Sequence, residues 1–403
     1  MIDITEKRYM KYLLFGSLYF TEGLFTAVGF IIVPIYFVES GLSVSFATFA
    51  VGIALIPASL KFFQGAIVDY FQEHGRKRYI ILGGIIFASG FFIMAFFNPS
   101  QSLYLFVFGL FLSVIGFVFL DVSADAWAIE VSTVDDRGKV NGSMFGGYYT
   151  GMAVGTATLG IIALNFGYHV SFFVVGFICF IVVLLPLLVK ENIQKKKKPK
   201  IPKILIHEFK KPVTQLVSIF AVFLIVNRGM IMVLVPLYMN IILQIDIAQI
   251  GLIATVFPIA CAIGSIGIGS LSDVFGRKRA LYLSIIGSII FSGLLIFSVN
   301  WGILAIFYGV VGFLQGGYAT SGLALMMDIT NPKIGATQFS IFASLGNLGM
   351  TIGETVSGTL VAILGFTGAF LYSAWFFGPA LLILYFIRIS PSLKKNEEKT
   401  VSV

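Results

Sequence analysis

The residues of this sequence best placed to do chemistry are charged side chains that lie singly within long apolar stretches. They are Glu22, Lys61, Asp121, Asp125, Arg228 and Glu354. A charge inside a membrane costs roughly 2.5 to 3.5 kcal/mol on insertion scales, so each should face a cavity or a partner. Four acids against two bases leave a surplus of carboxylates, and at least one should hold a proton at neutral pH. We therefore predict that the four acids carry the coupling protons.

Two bases and two amides are the candidates for binding a solute. Lys61 and Arg228 could each hold an anionic group. Asn227 directly precedes the arginine, and Gln315 lies in a later apolar stretch. The matching stretches of the other half of the chain carry different polar residues, which is what a substrate site between two similar halves requires. We predict that these four side chains bind the substrate.

Lys61 and Asp121 are predicted to form an ion pair. Counted along their helices, both lie roughly 12 to 14 Å from the same membrane boundary, at 1.5 Å per residue. Asp125 shares a helix face with Asp121, and two carboxylates so close should not both ionise freely. Glu22 lies only slightly deeper and could compete for the same lysine. A lysine that reaches the boundary, or pairs with Glu22, is the alternative.

Composition identifies a membrane protein: 58% of the 403 residues are hydrophobic and only 11% are charged. No soluble domain has this composition, and about 20 apolar residues span a bilayer. The sequence predicts twelve spans, near residues 12–38, 44–69, 79–97, 102–130, 141–165, 169–190, 213–243, 248–272, 279–299, 301–328, 335–364 and 367–389.

Lysine and arginine are distributed asymmetrically over these spans. Apart from Lys61 and Arg228, the 27 basic residues fall on one side of the predicted membrane, which predicts a plasma-membrane protein with both termini cytoplasmic. The net charge of +8 then serves membrane orientation, and we expect no nucleic-acid binding. The sequence has no nucleotide loop, metal-ligand cluster or nucleophile beside a base. We therefore expect no enzyme activity, no cofactor and no metal site.

A short charged loop occurs twice, about 200 residues apart. Each copy has Gly-x-x-x-Asp followed by Gly-Arg-Lys-Arg, with Asp69 and Arg76 in the first copy and Asp273 and Arg277 in the second. The connection within the first copy is three residues longer. A glycine one turn before the aspartate lets a neighbouring helix approach closely. The repeat predicts two related halves.

This loop resembles the signature of the major facilitator superfamily, where it joins helices 2 and 3 and again helices 8 and 9. The resemblance implies that Asp69, Asp273 and the arginines Arg76 and Arg277 control a cytoplasmic gate. Residues 60–78 and 121–127 further resemble the muropeptide permease and acetyl-CoA transporter branch. That likeness implies proton-driven solute transport without naming a substrate.

Together these features predict an all-α membrane protein of two pseudo-symmetric six-helix bundles, in residues 1–190 and 213–403, joined by a cytoplasmic linker at 191–212. We expect a monomeric secondary active transporter that moves a small solute, with an anion as one option, by alternating access coupled to protons. Anionic lipid is expected to contact the lysines of the linker. The alternative is a membrane receptor or scaffold that keeps the fold without transporting.

Overall fold

The computed structural model describes residues 7–132, 137–191, 202–331 and 334–387. Within these ranges the chain forms helices joined by short connections, and it contains no strand. Ten of the described helical segments are long and apolar enough to cross a membrane. Two further passes are hidden in this number, because one span is broken into short helices and one segment crosses twice.

The first half contains six passes, here called spans 1 to 6. Their helices are Arg8–Ala27, Val28–Ile32 (π-helical) and Val33–Glu39 in span 1; Val44–Ala54, Ile56–Ser59 and Lys61–Tyr70 in span 2; Arg76–Phe96 in span 3; Pro99–Val131 in span 4; Arg137–Phe166 in span 5; and Tyr168–Leu184 with Leu185–Leu188 in span 6.

Span 2 is broken because of its proline. Pro57 lacks a backbone N–H and clashes with the preceding turn, so the helix before it ends and a new one begins at Ile56. A second interruption at Leu60 precedes the last helix, which starts at Lys61. The break therefore places the lysine at the start of a helical segment in the middle of the bundle.

The linker helix Pro202–Phe209 leads into spans 7 to 12 of the second half. These consist of Pro212–Ile241 in span 7; Ile247–Ala254 and Val256–Phe275 in span 8; Arg277–Leu294 with Leu295–Phe297 in span 9; Trp301–Ile329 in span 10; and Gly335–Trp375 with Phe377–Phe386, which together form spans 11 and 12.

Gly365 separates spans 11 and 12 with a φ of 68°, a conformation that glycine adopts without strain. Beyond it, Phe370 packs on Tyr238 of span 7 with ring centroids 5.6 Å apart. Further along, the carbonyl of Ser373 accepts a hydrogen bond from Asn227, which lies earlier in span 7. Span 12 thus runs antiparallel to span 7, and the chain reverses at Gly365. The prediction of twelve spans is confirmed.

The two halves are joined most extensively at one end of the bundle, and Tyr149 of span 5 also contacts Ser265 of span 8 at 3.4 Å nearer the middle. Spans 2 and 11 are linked by hydrogen bonds from Ser45 to the carbonyl of Gly358 at 2.9 Å and between Ser59 and Thr351 at 3.0 Å. We call the face at which spans 3 and 9 begin the basic end, and the joined face the closed end. Span 5 shows the contrast, because nothing lies within 4 Å of a Cβ placed on Gly146, towards the basic end. The space beside this part of span 5 is therefore not filled by the other half.

Candidate functional site

The first half brings together five ionisable side chains, here called the first-half cluster. They are Tyr19 and Glu22 of span 1, Lys61 of span 2, and Asp121 and Asp125 of span 4. The ammonium of Lys61 lies 3.1 Å from Oδ2 of Asp121. The predicted ion pair is confirmed, and it links spans 2 and 4.

The hydroxyl of Tyr19 lies close to both aspartates of the cluster. It donates a short hydrogen bond to Oδ1 of Asp125, and it lies 3.4 Å from Oδ1 of Asp121. The two aspartates face it from one side of span 4 because they lie four positions apart, about one turn, on the helix. The sequence interpretation did not include Tyr19. Its spacing of three residues from Glu22, on the same helix face, was the available signal.

Glu22 lies beside the pair without joining it. Its residue surface is 5% exposed, and its Oε1 finds no hydrogen-bond partner among the described residues. It interacts electrostatically with Asp121 and Asp125, which repel its negative form, and with Lys61, which attracts it. The cluster therefore has one base for three acids, so Asp121 and Glu22 can compete for the ammonium of Lys61.

The second half contains a hydrogen-bonded network of uncharged groups around Asn227. This side chain donates to Oγ of Ser292 at 3.2 Å and to the carbonyl of Ser373 at 2.9 Å. Gln315 in turn donates to the Asn227 Oδ1 at 3.1 Å, and both amides are fully buried. The network fastens span 7 to spans 9, 10 and 12. The predicted contact of Asn227 and Gln315 with a substrate stays a prediction.

Arg228, the next residue, has a different setting. Its residue surface is 8% exposed, and it makes no hydrogen bond or ion pair with a described residue. Its electrostatic neighbours include Tyr148 and Tyr149 from span 5 of the other half, together with Tyr318. A guanidinium thus lies at the junction of the halves without a counter-ion there, which is a favourable position for holding an anion.

Glu354 of span 11 is separate from the first-half cluster. It is fully buried, and neither of its carboxylate oxygens has a hydrogen-bond partner among the described residues. The neighbouring Gly353 packs directly against the backbone of span 7 at Val226. This predicted proton site therefore lies close to the junction of spans 7 and 11, and no base among the described residues pairs with it.

The arginines of the repeated loop form equivalent ion pairs in the two halves. Arg76 lies 3.3 Å from Glu130 at the end of span 4, and Arg277 lies 3.5 Å from Asp328 at the end of span 10. Comparing the ends of spans 4 and 10 in sequence could have identified these partners. The predicted gate residues Asp69 and Asp273 have side chains outside the part of the chain that the structure describes.

Two other predictions concern ligands other than the solute. No group of three or more His, Cys, Asp or Glu residues able to hold a metal ion occurs within the described ranges. The lysines at 195–198, predicted to contact anionic lipid, lie outside the described residues.

Comparison with known proteins agrees with this architecture. The family model of the Major Facilitator Superfamily matches residues 15–227 and again residues 217–402, once for each half. The chain also aligns with solved structures, including a D-xylose-proton symporter at TM-score 0.74 over 96% of this chain and 98% of that one, and the nucleoside transporter NupG at TM-score 0.73 over 94% and 98%. Sequence identity is 15% in both cases, so these two show the fold alone.

Two curated relatives are named as transporters. The putative transporter AmpG 4 of Rickettsia conorii is 24% identical over 91% of this chain and 94% of its own length. A probable 4-methylmuconolactone transporter of Cupriavidus pinatubonensis is 32% identical over 142 residues, which span 35% of this chain and 33% of that protein. With two family matches that together extend over nearly the whole chain, and with this fold, the chain belongs to the Major Facilitator Superfamily and is an integral membrane transporter, not an enzyme.

Proposed function

We propose that this protein is a proton-coupled secondary active transporter that carries a small organic anion by alternating access. The observation that carries the proposal is the first-half cluster, where one lysine is shared among three acids, of which Glu22 and Asp121 are buried. When Glu22 loses its proton, its negative charge competes for the ammonium of Lys61. When it gains the proton, the lysine returns to Asp121. Proton binding thereby changes which helices are held together.

The charge at the junction of the halves favours an anionic solute. Arg228 has no counter-ion among the described residues, and Lys61 can exchange its carboxylate for one on the solute. Asn227 and Gln315 support this site by fixing span 7, so that the arginine faces span 5. One relative is named for 4-methylmuconolactone, but the alignment spans only a third of that protein.

The proposal includes the topology and the domain arrangement. Residues 1–190 and 213–403 are the two moving bundles, and the linker at 191–212 lies on the cytoplasmic side of the plasma membrane with both termini. The basic end is then cytoplasmic, and the described conformation is open inward. Protons and the solute are the ligands, and the protein works as a monomer.

The experiment is uptake into proteoliposomes under an imposed pH gradient, using organic acids first chosen by their stabilisation of the purified protein against heat. Wild-type protein should accumulate the acid against its gradient. Glu22→Gln and Glu354→Gln should each lose accumulation but keep exchange between internal and external solute, because a neutral amide cannot release a proton. The control is Glu73→Gln, the same chemical change at an exposed loop residue.

Normal accumulation by both variants would reject carboxylate coupling at these positions. Binding of an acid with neither accumulation nor exchange in the wild type would instead indicate a receptor that keeps the fold. Equal uptake of a neutral analogue would reject the anionic class of substrate and leave proton coupling intact.

A further inference from the structure

A cavity lies at the basic end, between the start of span 3 and the end of span 6. We call it the span 3–6 pocket, and its volume is about 330 Å³. Its walls consist chiefly of His74, Lys77, Arg78, Leu187, Lys190 and Glu191. Most of these side chains are basic, and none of them belongs to the transport site described above.

Two of the charged residues in the pocket are engaged by the protein itself. The carboxylate of Glu191 accepts hydrogen bonds from the backbone N–H of Arg76 at 2.5 Å and of Lys77 at 3.2 Å, so it caps the first turn of span 3. The Lys77 ammonium donates to the carbonyls of Leu187 and Val189 at the end of span 6. These contacts hold the walls of the pocket together, and the Glu191 carboxylate is used in capping span 3.

The other two full charges have no such partner. Arg78 and Lys190 are exposed, and neither forms a hydrogen bond or ion pair with a described residue. They approach the pocket from two different spans, next to the exposed imidazole of His74. A planar guanidinium beside an ammonium matches the oxygens of a phosphate group.

The apolar side chains around the pocket indicate which class of phosphate compound fits it. Leu187 and Leu188 on span 6 are 50% and 58% exposed, and Leu82, one turn inward from Arg78 on span 3, is 57% exposed. At the end of a membrane span, such side chains face acyl chains. A ligand that fits both surfaces has an anionic head and apolar tails. A soluble anion would use only the basic part.

We propose that the span 3–6 pocket binds the headgroup of an anionic phospholipid, with its acyl chains along the exposed leucines. The site is distinct from any contact of lipid with lysines 195–198, because its charges come from Arg78 and Lys190. Bound lipid would link span 3, which begins at the repeated loop, to span 6.

The test is native mass spectrometry of the detergent-purified full chain, titrated with phosphatidylglycerol and, in parallel, with phosphatidylcholine. One phosphatidylglycerol should bind much more tightly than phosphatidylcholine. Combining Arg78→Gln with Lys190→Gln should weaken phosphatidylglycerol binding by roughly 30-fold, since each basic residue near a lipid headgroup contributes about five-fold. The thermal midpoint of this variant in phosphatidylcholine should equal that of the wild type, because both residues are exposed.

The matched control combines Arg279→Gln with Lys139→Gln, which removes one exposed arginine and one exposed lysine at the same end. It should keep tight phosphatidylglycerol binding, as should replacement of lysines 195–198 by glutamine. If phosphatidylglycerol binding were weakened equally in either control, a general charge effect would explain the result and the proposed site would be rejected. Equal binding of phosphatidylcholine would overturn the anionic headgroup. Inorganic phosphate bound in place of the lipid would show a soluble anion as the occupant.

Discussion

Lys61 is the residue on which the first-half cluster depends, because it is the base that its three acids share. A double-mutant cycle with Asp121 measures this dependence. Lys61→Met alone or Asp121→Leu alone should each lower the free energy of unfolding by roughly 3 to 5 kcal/mol, since each leaves a buried charge without its partner. The double variant should recover much of that loss, because an apolar pair replaces an ion pair.

The measurement is unfolding in a single detergent, monitored by circular dichroism at one pH. Glu73→Gln, at an exposed position, gives the baseline for a surface change. Strictly additive losses in the double variant would show that the lysine stabilises the bundle through another group, with Glu22 the first to examine.

Arg228 should determine the affinity for the anion and have less influence on the fold. We expect Arg228→Met to weaken solute binding roughly 10- to 150-fold, the equivalent of about 1.5 to 3 kcal/mol for charge-assisted hydrogen bonds. Arg228→Lys should restore part of this affinity, because the charge returns without the planar donor geometry. Isothermal titration with an acid and its methyl ester checks the assignment. The ester should bind equally to all three proteins, and an equal loss for both ligands would contradict a charge contact.

At the scale of elements, small residues at the closed end determine how closely the halves approach. A Cβ on Gly52 of span 2 would collide with Oγ1 of Thr355 on span 11. Gly52→Val should therefore separate the two halves at the closed end and shift the population away from the described conformation. Gly146→Val is the matched control, since the space beside that glycine is empty and the helix penalty of valine is the same.

Spin-label distances between spans 2 and 11 at the closed end give the readout. We expect them to lengthen in Gly52→Val and to stay at the wild-type value in Gly146→Val. The same distances in both variants would mean that the contact around Gly52 is not what closes this end.

The linker helix is attached to the second half by a buried carboxylate. Glu208 lies 2.8 Å from the ammonium of Lys211 and 2.7 Å from Nδ2 of Asn331, and Phe209 packs on Phe342. Burial raises the pKa of Glu208, but hydrogen bonds from Lys211 and Asn331 outweigh it, so the net pKa lies below the ordinary value. Because the folded form has the lower pKa, its stabilisation is complete above the ordinary glutamate pKa, about 4.3.

That stabilisation should be lost as the pH falls through the lower pKa of the docked form. Hydrogen exchange in residues 202–211 should therefore be slow at pH 7 and faster at the acid end of the range, after correction for intrinsic rates. Glu208→Gln should show the fast rate already at pH 7. The same slow exchange in both proteins at every pH would assign the docking to Phe209 instead.

The positions of the spans could be predicted from the sequence better than the sides of the helices that pack against each other. All twelve spans and the Lys61–Asp121 pair followed from apolar length and from depth along the helix. The roles of Tyr19 and Glu130 did not. In a membrane, lipid-facing and core-facing sides are both apolar, so periodicity does not show which side of a helix meets its neighbour. The π-helical stretch Val28–Ile32 was likewise missed, because it depends on local backbone hydrogen bonding beside Pro34.

For the whole molecule, the same arrangement occurs twice. Lys77 donates to carbonyls at the end of span 6, and Lys278 donates to the carbonyl of Ile387 at the end of span 12 at 2.8 Å. The repeated loop therefore ties the third helix of each half to its last. The proposed alternating access requires two such halves to move as units around the asymmetric polar residues between them.

The orientation of the molecule in the membrane decides which compartment the basic end faces. Arginine and lysine at the start of spans 3 and 9 predict that the basic end is cytoplasmic. Glu73 is exposed at that end, and Ser100 is exposed at the opposite end, at the start of span 4. The two native cysteines, Cys179 and Cys261, are buried and should stay silent towards a polar reagent.

A membrane-impermeant maleimide applied to intact cells should therefore label Ser100→Cys and leave Glu73→Cys unlabelled until the membrane is permeabilised. Phe145→Cys, on the stretch of span 5 towards the basic end and half exposed, should behave like Glu73→Cys if the proposed inward-open state is the one present in cells. Labelling of Glu73→Cys from outside would invert the topology. Labelling of Phe145→Cys alone from outside would keep the topology and show that the protein in cells occupies the opposite, outward-open state.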